Sequence, residues 1–303
     1  MMMANVIAVI WDFDKTLVDG YMQDPIFAHY GVDGEQFWKE VHELPGKYLK
    51  EQNVRVNRDT IYLNHFLRYV REGIFPDLNN EKLKTFGKEL QFYPGIPEIF
   101  ERTKRMIAED PHYGEYDIKV EHYIVSTGML AVIKGTAIMD YVDGVWGNEL
   151  IEDIVNGRKV IAELGYTIDN TSKRRAIFQL NKGVPKHPEI DVNSKVPADK
   201  RRVPFENMIY IADGPSDIPA FSLVNKNGGS TFAIYPKGDE RAFRQVEQLR
   251  MDGRIHTYAE ADYREGTTAQ LWICSKIKDI AERIRKNEKK SITESISEVP
   301  IHL

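Results

Sequence analysis

The segment Asp12-Phe13-Asp14-Lys15-Thr16 closes an apolar run, Val6 to Trp11. Two carboxylates two residues apart at the end of a buried strand point into a cleft, where holding them unpartnered costs several kcal/mol. A divalent cation cancels that cost, and magnesium in particular is held by one or two carboxylates together with phosphate oxygens and water. A second run, Met208 to Ala212, ends the same way in Asp213-Gly214-Pro215-Ser216-Asp217. A third, His122 to Val125, ends in Ser126-Thr127-Gly128, whose hydroxyls and free backbone N–H groups suit phosphate oxygens. Singly, each has a plainer reading: Asp217 as the N-cap of a helix from Ile218, Ser126 as another helix cap, the Asp12 pair as a turn. Their weight is positional, since acids, hydroxyls and acids recur at one end of successive strands.

The elements that must position these groups follow from the apolar pattern. The three runs and a fourth, Thr231 to Tyr235, are short, β-branched or aromatic, and lack polar alternation, which predicts fully buried parallel strands. Helical patterns over Gly95 to Glu109, Ser172 to Leu180 and Ile218 to Leu223 alternate with them, predicting a doubly wound, Rossmann-like α/β fold with a parallel sheet. In such sheets ligands bind beyond the carboxyl ends of the strands. Residues 18–92 break the rhythm with amphipathic patterns over Gly34 to His42, Asp59 to Glu72 and Asn80 to Leu90, and predict an all-helical cap inserted into a core of residues 1–17 and 93–303. Tyr93-Pro94-Gly95 marks the return to the core. Gly183 to Asn207 is too long for an ordinary connection and is either a functional loop or a surface excursion. An amphipathic helix is expected from Thr267 to about Asn287, then a poorly ordered polar tail, 288–303.

With 303 residues, 42% hydrophobic and 29% charged, the chain has the balance of a soluble globular protein of two units. A net charge of -5 gives no overall attraction to nucleic acid or to an anionic membrane. The single cysteine, Cys274, excludes an internal disulfide and sits in an apolar helical stretch as a structural thiol. The run before Asp12 has neither a basic segment ahead of it nor a cleavage site behind it, and no stretch is long enough to span a bilayer, so a cytoplasmic location is expected.

In these motifs the chain resembles the haloacid dehalogenase-like (HAD) hydrolases, in particular the branch typified by phosphoserine phosphatase. Asp12 to Thr16 is similar to that superfamily's first motif, Ser126 to its second and Asp213 to Asp217 to its fourth, and the helical insertion to its cap. The third motif is a lysine ahead of the last acidic strand. Lys173, opening a helix after Thr171-Ser172, is the choice, with Arg174 and Lys159 as rivals. The resemblance implies a magnesium-dependent phosphatase acting on a small phosphorylated substrate. Asp12 would be the nucleophile and Asp14 the general acid and base. Magnesium would be held by Asp12, the main-chain carbonyl of Asp14, Asp213 and Asp217, with Ser126 and Lys173 cradling phosphate and Thr16, Thr127, Gly128 and Gly214 completing the substrate contacts. Transfer to an acceptor other than water, or a silent binding protein, are the alternatives. Where phosphoserine phosphatases usually carry a glutamate, Tyr21 stands here, which weakens amino-acid specificity. Cap candidates for the cleft are His29, Arg55, Asn57, Arg58 and Tyr62.

Overall fold

The computed structural model describes residues 5–297. Its strands are β1 (Val6–Trp11), β2 (Lys119–Met129), β3 (Gly144–Asn148), β4 (Leu150–Val155), β5 (Arg158–Leu164), β6 (Met208–Ala212), β7 (Ser230–Tyr235) and β8 (Thr257–Glu260). Between β1 and β2 come α1 (Asp24–Tyr30), α2 (Gly34–Gln52), α3 (Ile61–Arg71), α4 (Asn80–Gly87), α5 (Glu98–Ala108) and α6 (Pro111–Gly114). The short α7 (Leu130–Lys134) follows β2, α8 (Lys173–Lys182) precedes β6, and α9 (Ile218–Lys226), α10 (Glu240–Met251) and α11 (Thr268–Ser297) follow β6, β7 and β8.

Six strands form one parallel sheet in the order β3-β2-β1-β6-β7-β8, and β4 with β5 forms a separate antiparallel hairpin. Both faces of the sheet are covered, which is why β1 is apolar without alternation. Ile7, Val9 and Trp11 pack on one side with Phe100 of α5 and Ile273 of α11. Val6, Ala8 and Ile10 pack on the other with Ile177 of α8, Phe221 of α9 and Val246 of α10. The doubly wound α/β architecture expected from the four runs is the one present.

The differences are local. Strands β3 and β8 were not expected, being short edge strands, and α2 continues through Pro45 to Gln52 before Asn53 closes it in the left-handed conformation. The β4–β5 turn is Asn156-Gly157, both at positive φ (52° and 74°), the combination a tight hairpin requires. The polar stretch beginning at Glu288 is helical as far as Ser297, because α11 runs on past Asn287; the rest of the expected tail lies outside the described residues. Within Gly183 to Asn207, Arg202 donates to Glu121 at 2.7 Å, near the amino end of β2 and away from Asp12.

The helices α1 to α4 share an aromatic interior of Phe27, Phe37, Phe66 and Phe75. Their two connections to the sheet run side by side: Val18 pairs antiparallel with Phe92, Asp19 N donates to Gln91 O and Tyr93 N to Leu17 O, each at 2.9 Å. At the far end α4 lies directly on α7, where a Cβ at Gly87 would stand 2.1 Å from Val132 O and one at Gly135 1.9 Å from Lys84 O. The hairpin also reaches this helix, since Asn80 Nδ2 donates to Leu150 O at 2.9 Å.

Candidate active site

The sheet order places β1 between β2 and β6, and the registers do the rest. Trp11 stands opposite Ile211 of β6 and Ile124 of β2, so Asp12 emerges beside the end of β6, just before Asp213, and beside the stretch of β2 that leads into Ser126. Asp12 N donates to Ile211 O at 2.9 Å, fixing the first acid to the strand that carries the second pair. Carboxylate oxygens of Asp12, Asp213 and Asp217 all lie within 4.8 Å of one another.

Lys173 reaches this group from the first position of α8. Its Nζ is 2.7 Å from Asp12 Oδ1 and 2.7 Å from Asp217 Oδ1, with the side chain almost completely buried. Of the rival cations, Arg174 donates to Thr171 O in an exposed position and Lys159 pairs with Glu152 on the hairpin. Asp217 stands at the N-cap position of α9, but its side chain makes no capping bond: besides Lys173 it accepts from Tyr210 OH at 2.6 Å and Ser216 Oγ at 2.9 Å.

The electrostatics of this cluster are those of too many acids around one base. Burial pushes Asp12 up to about 6 against the pull of Lys173, with Asp217 adding to the rise. Asp213 is pushed up to about 7 by burial, then by Asp12 and Asp217. Burial works against the Lys173 ammonium, but Asp12 and Asp217 override it and hold the group above the usual lysine range. Three oxygen donors within reach of one point and an excess of negative charge fit a hard divalent cation.

Asp14 stands apart from these three. Its Oδ1 accepts from Met22 N at 2.8 Å, and its protonation is raised well above the ordinary carboxylate range, first by burial and then by Asp12. Lys15, next in the chain, takes a positive φ of 55°, which helps to turn the loop.

The hydroxyl segment differs from expectation. Strand β2 extends through it to Met129, so its amides are engaged: Gly128 N donates to Ser126 Oγ at 2.9 Å and Met129 N to Met22 Sδ at 3.0 Å. Ser126 is buried, and Thr127 uses its carbonyl to accept from Tyr62 OH at 2.8 Å. A Cβ at Gly128 would overlap the end of the Met22 side chain, so a larger residue there would displace that thioether. Thr16 is fully buried with its Oγ1 unpartnered. Gly214 is buried in the turn, where a Cβ would come 2.8 Å from Gln245 Nε2 on α10.

Asp14, Thr127 and Gly128 form one end of a cavity of about 620 Å³ between the sheet edge and the helices. Of the cap candidates, Arg58 and Tyr62 line it. His29 instead packs on Tyr30 and Phe86, Asn57 donates to Asp169 Oδ2 at 2.8 Å, and Arg55 is exposed and not part of the lining. Tyr21, Gln23, Trp38, His42 and Lys47 also line it. Of these, only Tyr21 drew notice in the sequence; α1, which Gln23 precedes, carries too short an apolar pattern to announce itself. Tyr210, a further partner of Asp217, was hidden among the apolar residues of its strand.

No family model matches the chain. A HAD family hydrolase from Salmonella enterica subsp. enterica serovar Typhi superposes with a TM-score of 0.50 at 15% identity, covering 84% of this chain and 67% of that one. A phosphoserine phosphatase in apo form superposes with a TM-score of 0.49 at 18% identity, over 85% of this chain and 96% of that one. The fold is the one seen in that haloacid dehalogenase family hydrolase. The chain belongs to one family with an uncharacterized protein of Borreliella burgdorferi, to which it is 37% identical over 287 residues, 90% of this chain and 97% of that protein. Among the described residues no helix is long and apolar enough to cross a membrane.

Proposed function

We propose that this chain is a magnesium-dependent phosphomonoesterase that works on a small phosphorylated substrate through a covalent phosphate on Asp12. The observation that carries the reading is the buried Lys173 ammonium bridging Asp12 and Asp217, with Asp213 in reach of both. Asp12, Asp213 and Asp217, with the Asp14 carbonyl, would hold magnesium, which when bound supplies neutralising charge for a phosphate approaching a carboxylate.

In the first half-reaction an Asp12 oxygen bonds to phosphorus as the bond to the leaving oxygen breaks, and the Asp14 carboxyl gives that oxygen a proton. Its raised protonation range suits a donor near neutral pH. In the second, Asp14 takes a proton from water as the water oxygen bonds to phosphorus, the bond to Asp12 breaks, and inorganic phosphate leaves. Lys173 has a third N–H with which to hold a phosphate oxygen, and Ser126 Oγ offers a second donor. Keeping Asp12 fixed by Lys173 and by the β6 carbonyl removes the cost of orienting the nucleophile.

Phosphate release from p-nitrophenyl phosphate, with and without magnesium, tests this. Release without any added acceptor should require the metal and fall on the order of 10³-fold or more in Asp12→Asn. Metal-independent hydrolysis that survives Asp12→Asn overturns the assignment, and release only on adding an alcohol acceptor marks a phosphotransferase.

A further inference from the structure

We propose that the substrate's leaving group carries a flat aromatic or heteroaromatic ring, which stacks in the cavity walled by Tyr21, Trp38 and Tyr62 and donates a hydrogen bond to Gln23. This deepens the phosphomonoesterase reading and rests on it, because it takes the cavity beside Asp14 to be the leaving-group side.

The cavity holds about 620 Å³, within the range of sites for small organic ligands, and Asp14 is part of its lining. A group whose oxygen is protonated by Asp14 therefore extends into this space. The wall it meets is aromatic: Tyr21 and Trp38 have ring centroids 6.1 Å apart, Trp38 and Tyr62 5.6 Å apart, both pairs tilted by 44°. The plainer account is that these rings extend the packed interior of α2 and α3, since Trp38 touches Phe37 and Tyr62 touches Phe66. That account covers Phe37 and Phe66, which are fully buried, but not the outer rings. Tyr21 is 42% exposed and Trp38 half-buried, both on the cavity. Lys15 Nζ sits 4.3 Å from the Tyr21 ring centre and steadies that ring.

Gln23 supplies an independent observation. It lines the same cavity, is only 3% exposed, and its Oε1 has no hydrogen-bond partner. A buried acceptor left open is costly, and a donor on a bound ligand satisfies it. It is also the chain neighbour of Met22, whose amide holds Asp14, so the group that reads the ring and the group that protonates the ester oxygen share one short segment. At the rim Lys47 and Arg58 are balanced by Glu43 and Asp59, so charge does not favour an ionised ring, and Val41 adds an apolar surface.

The full chain with magnesium is given two matched pairs of esters: uridine 5′-monophosphate against ribose 5-phosphate, and pyridoxine 5′-phosphate against glycerol 3-phosphate. Within each pair phosphate sits on a primary carbon with and without an aromatic or heteroaromatic ring. The ring-bearing member of at least one pair should show kcat/KM about tenfold or more above its partner, and the pair that does so tells a nucleoside from a pyridine. That ratio should fall toward one in Trp38→Leu and in Tyr21→Ala, and severalfold in Gln23→Leu. Should Trp38→Leu fail to fold, the exposed Tyr21 and the single amide of Gln23 still carry the test. Titration of uridine and pyridoxine into Asp12→Asn, followed by NMR, reads the ring site without turnover, and binding should weaken about tenfold when Tyr21→Ala is added. Ratios near one in the wild type, together with no binding of either ring compound, overturn the ring site and leave the phosphatase standing. Binding that depends on Tyr21, with no phosphate released from any ester, supports the ring site and overturns the phosphatase.

Discussion

The buried hydroxyl of Tyr263 donates to the carbonyl of Thr16 at 2.6 Å, tying the segment after β8 to the loop that carries Asp12 and Asp14. The same residue's N–H is bonded to Pro94 O at 2.7 Å, so one side chain and its backbone hold both the loop leaving β1 and the return from the helices. Tyr263→Phe removes the first tie alone and leaves a buried carbonyl without that donor. The expected cost is about 1–3 kcal/mol in urea unfolding, with a severalfold loss in kcat as Asp14 loses its fixed position. Unchanged stability and unchanged kcat would show that the loop is held by something else.

Asp14 as general acid makes a prediction about leaving groups. Asp14→Asn should lose little activity with p-nitrophenyl phosphate, whose leaving oxygen needs no proton, and on the order of 10² to 10⁴-fold with alkyl esters. Single-turnover rates across a series of esters measure this. Equal losses throughout the series would assign Asp14 another role.

The three-acid cluster ties metal binding to stability. The carboxyls of Asp12 and Asp213 are raised to about 6 and about 7, above the ordinary 3.8 of an unfolded chain. The folded protein then holds these protons more tightly than the unfolded one, and this contribution to metal-free stability falls as pH rises from about 4 to about 7. On the proposed reading, magnesium binds the ionised form and offsets the loss, by about 2.7 kcal/mol at a hundredfold excess over Kd. Calorimetry should show a larger rise in Tm with magnesium at pH 8 than at pH 5, and Asp213→Asn should remove most of it. An undiminished rise in that variant places the ion elsewhere.

His122 acts with the opposite sign and outside the site. Its ring accepts from Trp11 Nε1 at 3.0 Å and meets Thr103 Oγ1 at 2.8 Å, deep under β2. Burial, and then the charge of Lys104, lowers it from 6.5 to about 3. The unfolded chain takes up a proton that the folded one refuses, so stability drops as pH falls from about 6.5 toward 3, by at most about 1.4 kcal/mol per pH unit. The acids of the cluster titrate in an overlapping range, so the difference between wild type and His122→Gln isolates the effect. In urea unfolding that difference should shrink between pH 7 and pH 5, and a constant difference would mean that His122 is charged in the fold.

The parts of this architecture legible from sequence were those where a single local pattern decides the outcome. Asp12 and Asp213 follow runs so apolar that they fit only a sheet covered on both faces, and β1 and β6 are neighbours at its centre. Choosing Lys173 over Arg174 from a capping pattern picked, on a weak signal, the side chain that the fold brings to Asp12 and Asp217. A stronger one was available in helical phase, because Lys173, Ala176, Ile177 and Leu180 share the buried stripe of α8 while Arg174 lies off it. The β4–β5 hairpin also announced itself, in Asn156-Gly157 between Val155 and Arg158, and went unread. What sequence could not supply was the cavity wall. Trp38, Gln23 and Tyr21 meet there only through the packing of α2 against α3 and the turn before α1, none of which a local pattern encodes.

The glycine pair at 87 and 135 constrains how a substrate gets in. α4 rests backbone to backbone on α7, and the β4–β5 hairpin is bonded to the same helix, so that flank of the helical segment is tightly packed. The backbone hydrogen bonds around Val18 and Phe92 hold together the two connections of the helical segment to the sheet. Widening that admits a molecule to Asp14 is then left to α2, which bears Trp38, and to the turn before α1, which bears Gln23, so the residues of the proposed ring site are also the ones that must step aside for its ligand.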